Sequence, residues 1–262
     1  MNDIAITDPC VVFALRRESM FFRQEFLPQQ RFAGAVCRAS FCGPTWLTVL
    51  LLESGVGTGA AEKAAAWLLG NPFFGNVPYR PKLVLAAGFS GALQGNLCVG
   101  DLVLATEVKD GAGSVWPATW PGELPGGAWR PPLTRGRLLS APGLVGDPEE
   151  KRRLGQQSDA LAVDMETAVW ARACQKKDVP FGALRAISDD LSMPLSPRLV
   201  NVIQGGRVSP LRLADAVLRW PGLVGELLRL GSQTKQAARQ LALGLGEVLT
   251  LTVPWISGNE LS

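Results

Sequence analysis

The sequence predicts a one-domain α/β protein whose sheet is covered by helices on both faces. Short, wholly apolar runs recur along the chain and read as buried strands. Stretches with helical spacing lie between several of them, the alternation of a sheet packed on both sides. The strands also come too regularly for two separate folding units.

Residues 11–15 (VVFAL) form the first expected strand and residues 46–52 (WLTVLLL) the second. The second runs through SGVGTG into residues 59–69 (GAAEKAAAWLL), an alanine-rich helix. Residues 83–87 and 102–106 are strands flanking a glycine-punctuated connection. Residues 110–136 hold Trp116, Trp120 and Trp129 among prolines and glycines, with no helical or strand period. A loop of that length is expected to be functional or mobile, or else a surface excursion whose tryptophans pack onto the core. Residues 160–163 are a strand. Residues 166–177 (ETAVWARACQKK) are a helix with Val169, Ala173 and Cys174 near one face and lysines at its end. Residues 181–188 close the set of strands. A helical extension is expected at about residues 208–252, broken by Pro221, with Arg212, Arg219 and Arg229 among leucines. It reads as helices packed on the sheet or on a partner subunit. A peripheral membrane contact is the second reading.

Composition removes several function classes. At 47% hydrophobic residues the chain has ample material for a core. A net charge of +3, from 26 basic and 23 acidic residues, is too balanced to argue for nucleic acid. Histidine is absent, so acid–base chemistry falls to Asp, Glu, Lys, Cys, arginine-oriented water or the single Tyr79. The 5 cysteines are scattered without a CxxC, so no metal site and a reduced, cytoplasmic protein are expected. The amino terminus carries no signal-peptide pattern, and no apolar run reaches the roughly 18 residues of a membrane span.

Three stretches can carry chemistry. In SGVGTG, Gly55, Gly57 and Gly59 let the backbone approach a ligand, and the following helix N-terminus favours an anion or oxygen-rich group. It is neither a Walker loop nor a dinucleotide fingerprint, which disfavours a nicotinamide-dependent dehydrogenase. In VPFGALRAISDD a buried strand carries Arg185, which wants a carboxylate, and ends in Asp189 and Asp190. In LAVDMETAVW, Asp164 and Glu166 flank Met165 where a strand hands over to a helix. Asp164 there reads as a helix cap or as the partner of Arg185.

Five segments resemble the purine nucleoside phosphorylase and nucleosidase superfamily. They are ALRRE ending at Glu18, SGVG from Ser54 to Gly57, AAGFSGAL with VGDLVLAT, AVDMET, and VPFGALRAISD, in the family's order. The resemblance implies a three-layer α/β/α sandwich around a mixed, partly barrel-like sheet, and cleavage of the N-glycosidic bond of nucleosides by phosphate or water. The front half is similar to methylthioadenosine/S-adenosylhomocysteine nucleosidases. GDPEEK, ALAVDMET and the arginine- and leucine-rich tail are similar to the hopanoid-associated phosphorylases, thought to act on an adenosine with a long 5′ hydrocarbon.

By that resemblance Asp189 is the general acid that protonates the departing purine, its pKa raised by burial or by Asp190, with Ser188 orienting it. Glu166 accepts from the ribose hydroxyls, Met165 packs on the sugar and Glu18 activates water. Ser54, Gly57 and Gly88 line the substrate. The chain departs from the family where phosphorylases carry an arginine before the glycine turn; here that residue is Ala87, with Arg16 or Arg17 as substitutes. Leu144 and Val145 stand where nucleosidases stack a phenylalanine, leaving Phe89 as the candidate aromatic face. Asp164 replaces the usual glutamate of the nucleosidase motif. The expected activity is release of adenine from a 5′-substituted adenosine, with water preferred to phosphate as nucleophile. Phosphorolysis, including that of a hopanoid-linked adenosine, and non-catalytic nucleoside binding are the alternatives. No cofactor is expected beyond inorganic phosphate as a co-substrate in the phosphorolytic case. The expected partners are a small nucleoside and a second copy of the chain, as a homodimer.

Overall fold

The structure is a computed structural model that describes residues 8–33, 36–43, 47–120, 132–196 and 223–256. The central strands are built on the apolar runs. They are β1 (Cys10–Phe13), β4 (Val49–Glu53), β7 (Val84–Ala92) and β12 (Phe181–Asp189), joined by β8 (Leu102–Asp110). β10 (Leu133–Ser140) and β11 (Ala162–Asp164) lie on one side, β2 (Pro28–Ala33) and β3 (Arg38–Cys42) on the other. The short β5 (Phe73–Phe74) and β6 (Val77–Pro78) form a separate hairpin, and β9 (Val115–Pro117) pairs back onto β8.

The sheet order is β11-β10-β8-β12-β7-β1-β4-β3-β2. β12, β7, β1 and β4 run parallel, whereas β8 is antiparallel to β12. β11 pairs with β10 and also with β7, which closes five strands into a barrel-like ring while β1 to β4 continue as an open sheet. The expected mixed, partly barrel-like sheet is therefore present.

Strand side chains alternate between two cores. Val84, Ala86, Ala183 and Ile187 face α2 (Thr58–Leu68) and α4 (Thr167–Lys176). Leu85, Ala87, Leu184 and Ala186 face α5 (Leu223–Ile256) and the short α1 (Phe22–Glu25). α3 (Pro148–Ser158) covers the β11 end of the ring.

Three features of the strands depart from the sequence expectation. The β2–β3 hairpin is an edge pair, and its PQQRFA strand lacks the apolar run of an interior strand. β10 (LTRGRLLS) carries two arginines, of which Arg137 turns to Glu107 at 2.6 Å. β8 reaches Asp110, so the stretch expected to be without structure begins as strand and returns as β9. Its tryptophans pack onto the core: Trp116 is buried, and the Trp120 indole N–H donates to the Ala105 carbonyl at 2.7 Å. The Trp120 ring sits where Gly182 leaves room, since a Cβ there would come within 2.6 Å of it. Trp129 lies outside the described residues.

The carboxy-terminal helix runs from Leu223 to Ile256, later than expected; Arg212, Arg219 and the rest of residues 208–222 lie outside the described residues. Its apolar face, with Ala237, Leu241, Leu245 and Leu249, is buried against the sheet, and Arg229 reaches the Pro194 carbonyl at 3.5 Å. No described helix is long and apolar enough to cross a membrane.

Candidate active site

The carboxyl ends of β1, β4, β7, β11 and β12 bring four carboxylates and two cations together. Asp164 ends β11 and sits at the start of α4. Its carboxylate accepts from the Ser140 hydroxyl at 2.6 Å, the Thr167 backbone N–H at 2.9 Å and the Thr167 hydroxyl at 2.5 Å. It also pairs with Arg185 Nη2 at 2.5 Å. Capping the helix and holding Arg185, left as alternatives by the sequence, are thus combined in one side chain. The Thr167 hydroxyl in turn accepts from Arg185 Nε at 3.0 Å, so the buried guanidinium is fixed from two directions.

Glu166 follows, and its Oε1 accepts the Gly57 backbone N–H at 2.6 Å. Gly57, at φ +89, is the residue that opens α2, and no L side chain adopts that backbone comfortably. The sequence marks this helix N-terminus as an anion site, and the structure places the chain's own Glu166 there. Burial, then the Asp164 charge, push the Glu166 carboxyl up to about 7, against the pull of Arg185 and the Gly57 N–H. Its folded pKa exceeds the unfolded one, so the stability it contributes is present at low pH and lost as pH rises from about 4.5 to about 7. A shift of that size corresponds to at most roughly 3 kcal/mol. Glu166→Gln is therefore expected to gain stability relative to wild type as pH rises from 5 to 8. Thermal unfolding at the two pH values checks this; a constant difference would contradict it.

Glu18 stands on the turn after β1. Its Oε2 accepts from the Leu15 N–H at 2.8 Å and its Oε1 from the Phe89 N–H at 2.9 Å. The next residue anchors the turn, because the Ser19 hydroxyl donates to Glu53 Oε1 at 2.7 Å. Burial raises the Glu18 carboxyl, opposed by Arg185 and the backbone donors. Gly88 is required beside them: a Cβ there would fall 2.8 Å from Glu18 Oε1 and into the Arg185 guanidinium.

Asp189 ends β12 just past a register irregularity in its pairing with β7. The Ser188 hydroxyl donates to Oδ1 at 2.7 Å, and Lys151 Nζ donates to Oδ2 at 2.5 Å and to the Asp190 carbonyl at 2.9 Å. Lys151 is 0% exposed; Asp189, Glu18 and Glu166 are 5%, 4% and 7% exposed. The neighbour expected from sequence, the Asp190 carboxylate, instead turns to the Ser192 N–H at 2.8 Å and hydroxyl at 2.6 Å. Asp189 thus faces a cation and not a second anion.

Phe89 and Ser54, both expected at the substrate, have protein partners here. The partly buried Phe89 ring packs against the α5-side core, because the strand's period of two sends it to the opposite face from Gly88; its backbone N–H donates to Glu18. The Ser54 hydroxyl is used by the main chain, at the Phe13 carbonyl (3.2 Å) and its neighbour Gly55 (3.1 Å). Met165 is half-buried and lines a cavity of about 490 Å³ with Thr58, Trp116, Ala168 and Val169. Leu144 and Val145 line a neighbouring cavity of about 610 Å³. Arg16 is exposed, and Arg17 donates to the Gly231 carbonyl of α5 at 3.2 Å. Among the described residues no group of three or more His, Cys, Asp or Glu is arranged to hold a metal ion.

Lys151 was not singled out from the sequence. A signal was present: Asp147 caps α3, accepting from the Glu150 N–H at 3.0 Å, with Pro148 at the helix start. Lys151, Gly155 and Ser158 then share the buried face at helical spacing.

Known proteins match both the sequence and the architecture. A methylthioadenosine/S-adenosylhomocysteine nucleosidase of Bacillus thuringiensis is 28% identical over 166 residues, covering 54% of this chain and 68% of that one. The nucleosidase of Neisseria meningitidis, solved with methylthio-immucillin-A, superposes with a TM-score of 0.67 at 18% identity, covering 94% of this chain and 100% of that one. The futalosine hydrolase of Helicobacter pylori superposes with a TM-score of 0.65 at 16% identity, over 94% and 98% of the two chains. Residues 40–218, which include Gly57, Gly88, Lys151, Glu166, Arg185 and Asp189, match the phosphorylase superfamily profile. The chain belongs to the phosphorylase superfamily.

Proposed function

We propose that this protein hydrolyses the N-glycosidic bond of a 5′-substituted adenosine, releasing adenine and a ribose product. The observation that carries the reading is the placement of three buried carboxylates around one strand end. Glu18 lies at Gly88 and Asp189 at Gly91 of β7, three residues or about 10 Å apart along the strand. Glu166 adjoins Glu18 across Arg185. That spacing suits a nucleoside with its base at Asp189 and its sugar between Glu166 and Glu18.

Each group then has a task its environment supports. Asp189 delivers a proton to the purine as the bond breaks, which stabilises a leaving group that would otherwise depart as a poor anion. Glu166 accepts hydrogen bonds from the ribose hydroxyls, Met165 packs against the sugar, and Glu18 takes the proton of the attacking water. The oxocarbenium character developing on the sugar is favoured by the nearby carboxylates. Water is preferred to phosphate on electrostatic grounds. Among the described residues Asp164, Glu166 and Glu18 surround Arg185, while Arg16 is exposed and Arg17 is engaged with α5. A phosphate dianion there would meet more negative than positive charge.

The test is adenine or hypoxanthine release from methylthioadenosine, S-adenosylhomocysteine, adenosine and inosine. The reading expects adenine from the 5′-substituted substrates and little hypoxanthine from inosine. Tight binding without release from any of the four would make the protein a nucleoside binder and overturn it.

A further inference from the structure

We propose that Lys151 is a positioning and proton-supplying residue for Asp189, an inference that rests on the proposed base release. Lys151 projects from α3 into a fully buried position, and its ammonium has two partners, Asp189 Oδ2 at 2.5 Å and the Asp190 carbonyl at 2.9 Å. Asp189 Oδ1 is taken by the Ser188 hydroxyl, itself within 3.3 Å of the Ser90 carbonyl. Both carboxyl oxygens therefore face donors, and the Lys151–Asp189 pair shares one transferable proton.

A bare lysine is rarely buried, because desolvation of its charge is not recovered without a partner. Here the partner is the residue that meets the leaving base. The start of α3 is capped by Asp147, so the helix does not need the Lys151 side chain to begin. Among the described residues the pair also stands apart from other charged side chains. Gly91 and Ser188, which face it, do not titrate, and Asp190 turns its carboxylate to Ser192. Asp147, Glu149, Glu150, Arg152 and Arg153 of the α3 turn and helix are exposed. Glu18, Glu166 and Arg185 form the separate cluster at Gly88.

As the C1′–N9 bond breaks, its electron pair leaves with the purine and Asp189 passes a proton to the ring nitrogen N7. That proton comes from Lys151 through Asp189 Oδ2, so Lys151 becomes neutral and Asp189 is left as the carboxylate it was. The attacking water gives its oxygen to C1′ and its proton to Glu18. Glu18 releases that proton to solvent and Lys151 regains one, so nucleoside and water become free base and ribose.

The experiment compares kcat against pH for wild type, Lys151→Met and Lys151→Arg, with 5′-methylthioadenosine as the probe. Without Lys151, Asp189 must take its proton from solvent. Lys151→Met is therefore expected to lose about 100-fold at pH 8, and less than about tenfold at pH 5.5. Arginine keeps the charge but does not give up a proton, so Lys151→Arg is expected to fall with Lys151→Met at pH 8. Recovery of wild-type kcat by arginine, or a loss in Lys151→Met that is the same at every pH, overturns the proposal. Thermal unfolding of both variants, with Lys151→Gln as a third, separates loss of fold from loss of proton supply. A wild-type protein that releases no base sinks the underlying reading instead.

Discussion

Asp189→Asn is expected to lower kcat for base release by roughly 10³-fold, within the range typical of a lost general acid. Asparagine is nearly isosteric, and its carbonyl still accepts from Ser188 or Lys151, the partners seen at 2.7 and 2.5 Å. What it lacks is a transferable proton for the base. The loss should therefore lie in kcat, with KM changed only a few-fold, because the sugar contacts at Glu166 are untouched. The variant also leaves the Lys151 ammonium buried without its anion, so some stability is lost with it. Adenine release followed by absorbance, beside a thermal unfolding curve, checks both parts. Turnover like wild type would remove Asp189 from the chemistry.

Arg185→Met is the second large effect, and it acts on stability first. Arg185 is buried in the middle of β12 and pairs with Asp164, which is itself buried at the end of β11. Removing one member of such a pair typically costs about 3–5 kcal/mol, because the other charge stays behind without compensation. Ser140 and Thr167 continue to donate to Asp164, so the protein is expected to fold, with its denaturant midpoint shifted down. The same guanidinium holds down the carboxyls of Glu18 and Glu166 against burial. Its loss pushes both further up, and the acid limb of kcat/KM is expected to move to higher pH. An unchanged limb would mean that neither carboxylate governs it.

The interior of the fold was legible because parallel strands buried on both faces are written as unbroken apolar runs. β1, most of β4 and the first halves of β7 and β12 are of that kind. β2 and β10 were not legible, since an edge strand and a barrel strand with an outward Arg137 mix polar and apolar residues without a clean period. The α3 helix was hidden by its polarity, although Asp147-Pro148 announces its start. The site was legible where position in the fold decides it. Glu166 follows a strand end, Asp189 ends a core strand, and Arg185 needed a carboxylate and has Asp164.

What the sequence did not reveal depends on neighbours distant along the chain. Nothing local tells that the anion at the Gly57 helix start comes from Glu166, 109 residues later. Nothing local tells that Phe89 contributes its N–H to Glu18, or that Lys151 rather than Asp190 stands beside Asp189. These pairings exist only once β7 lies against β12 and α3 covers the ring.

The measurement that bears most directly on hydrolysis by this carboxylate cluster is product identification by proton and phosphorus NMR. 5′-Methylthioadenosine is incubated with the protein over a range of phosphate concentrations, including none. The account predicts adenine and the free reducing sugar, no new phosphate monoester, and a rate independent of phosphate. A sugar 1-phosphate formed only when phosphate is present would contradict it.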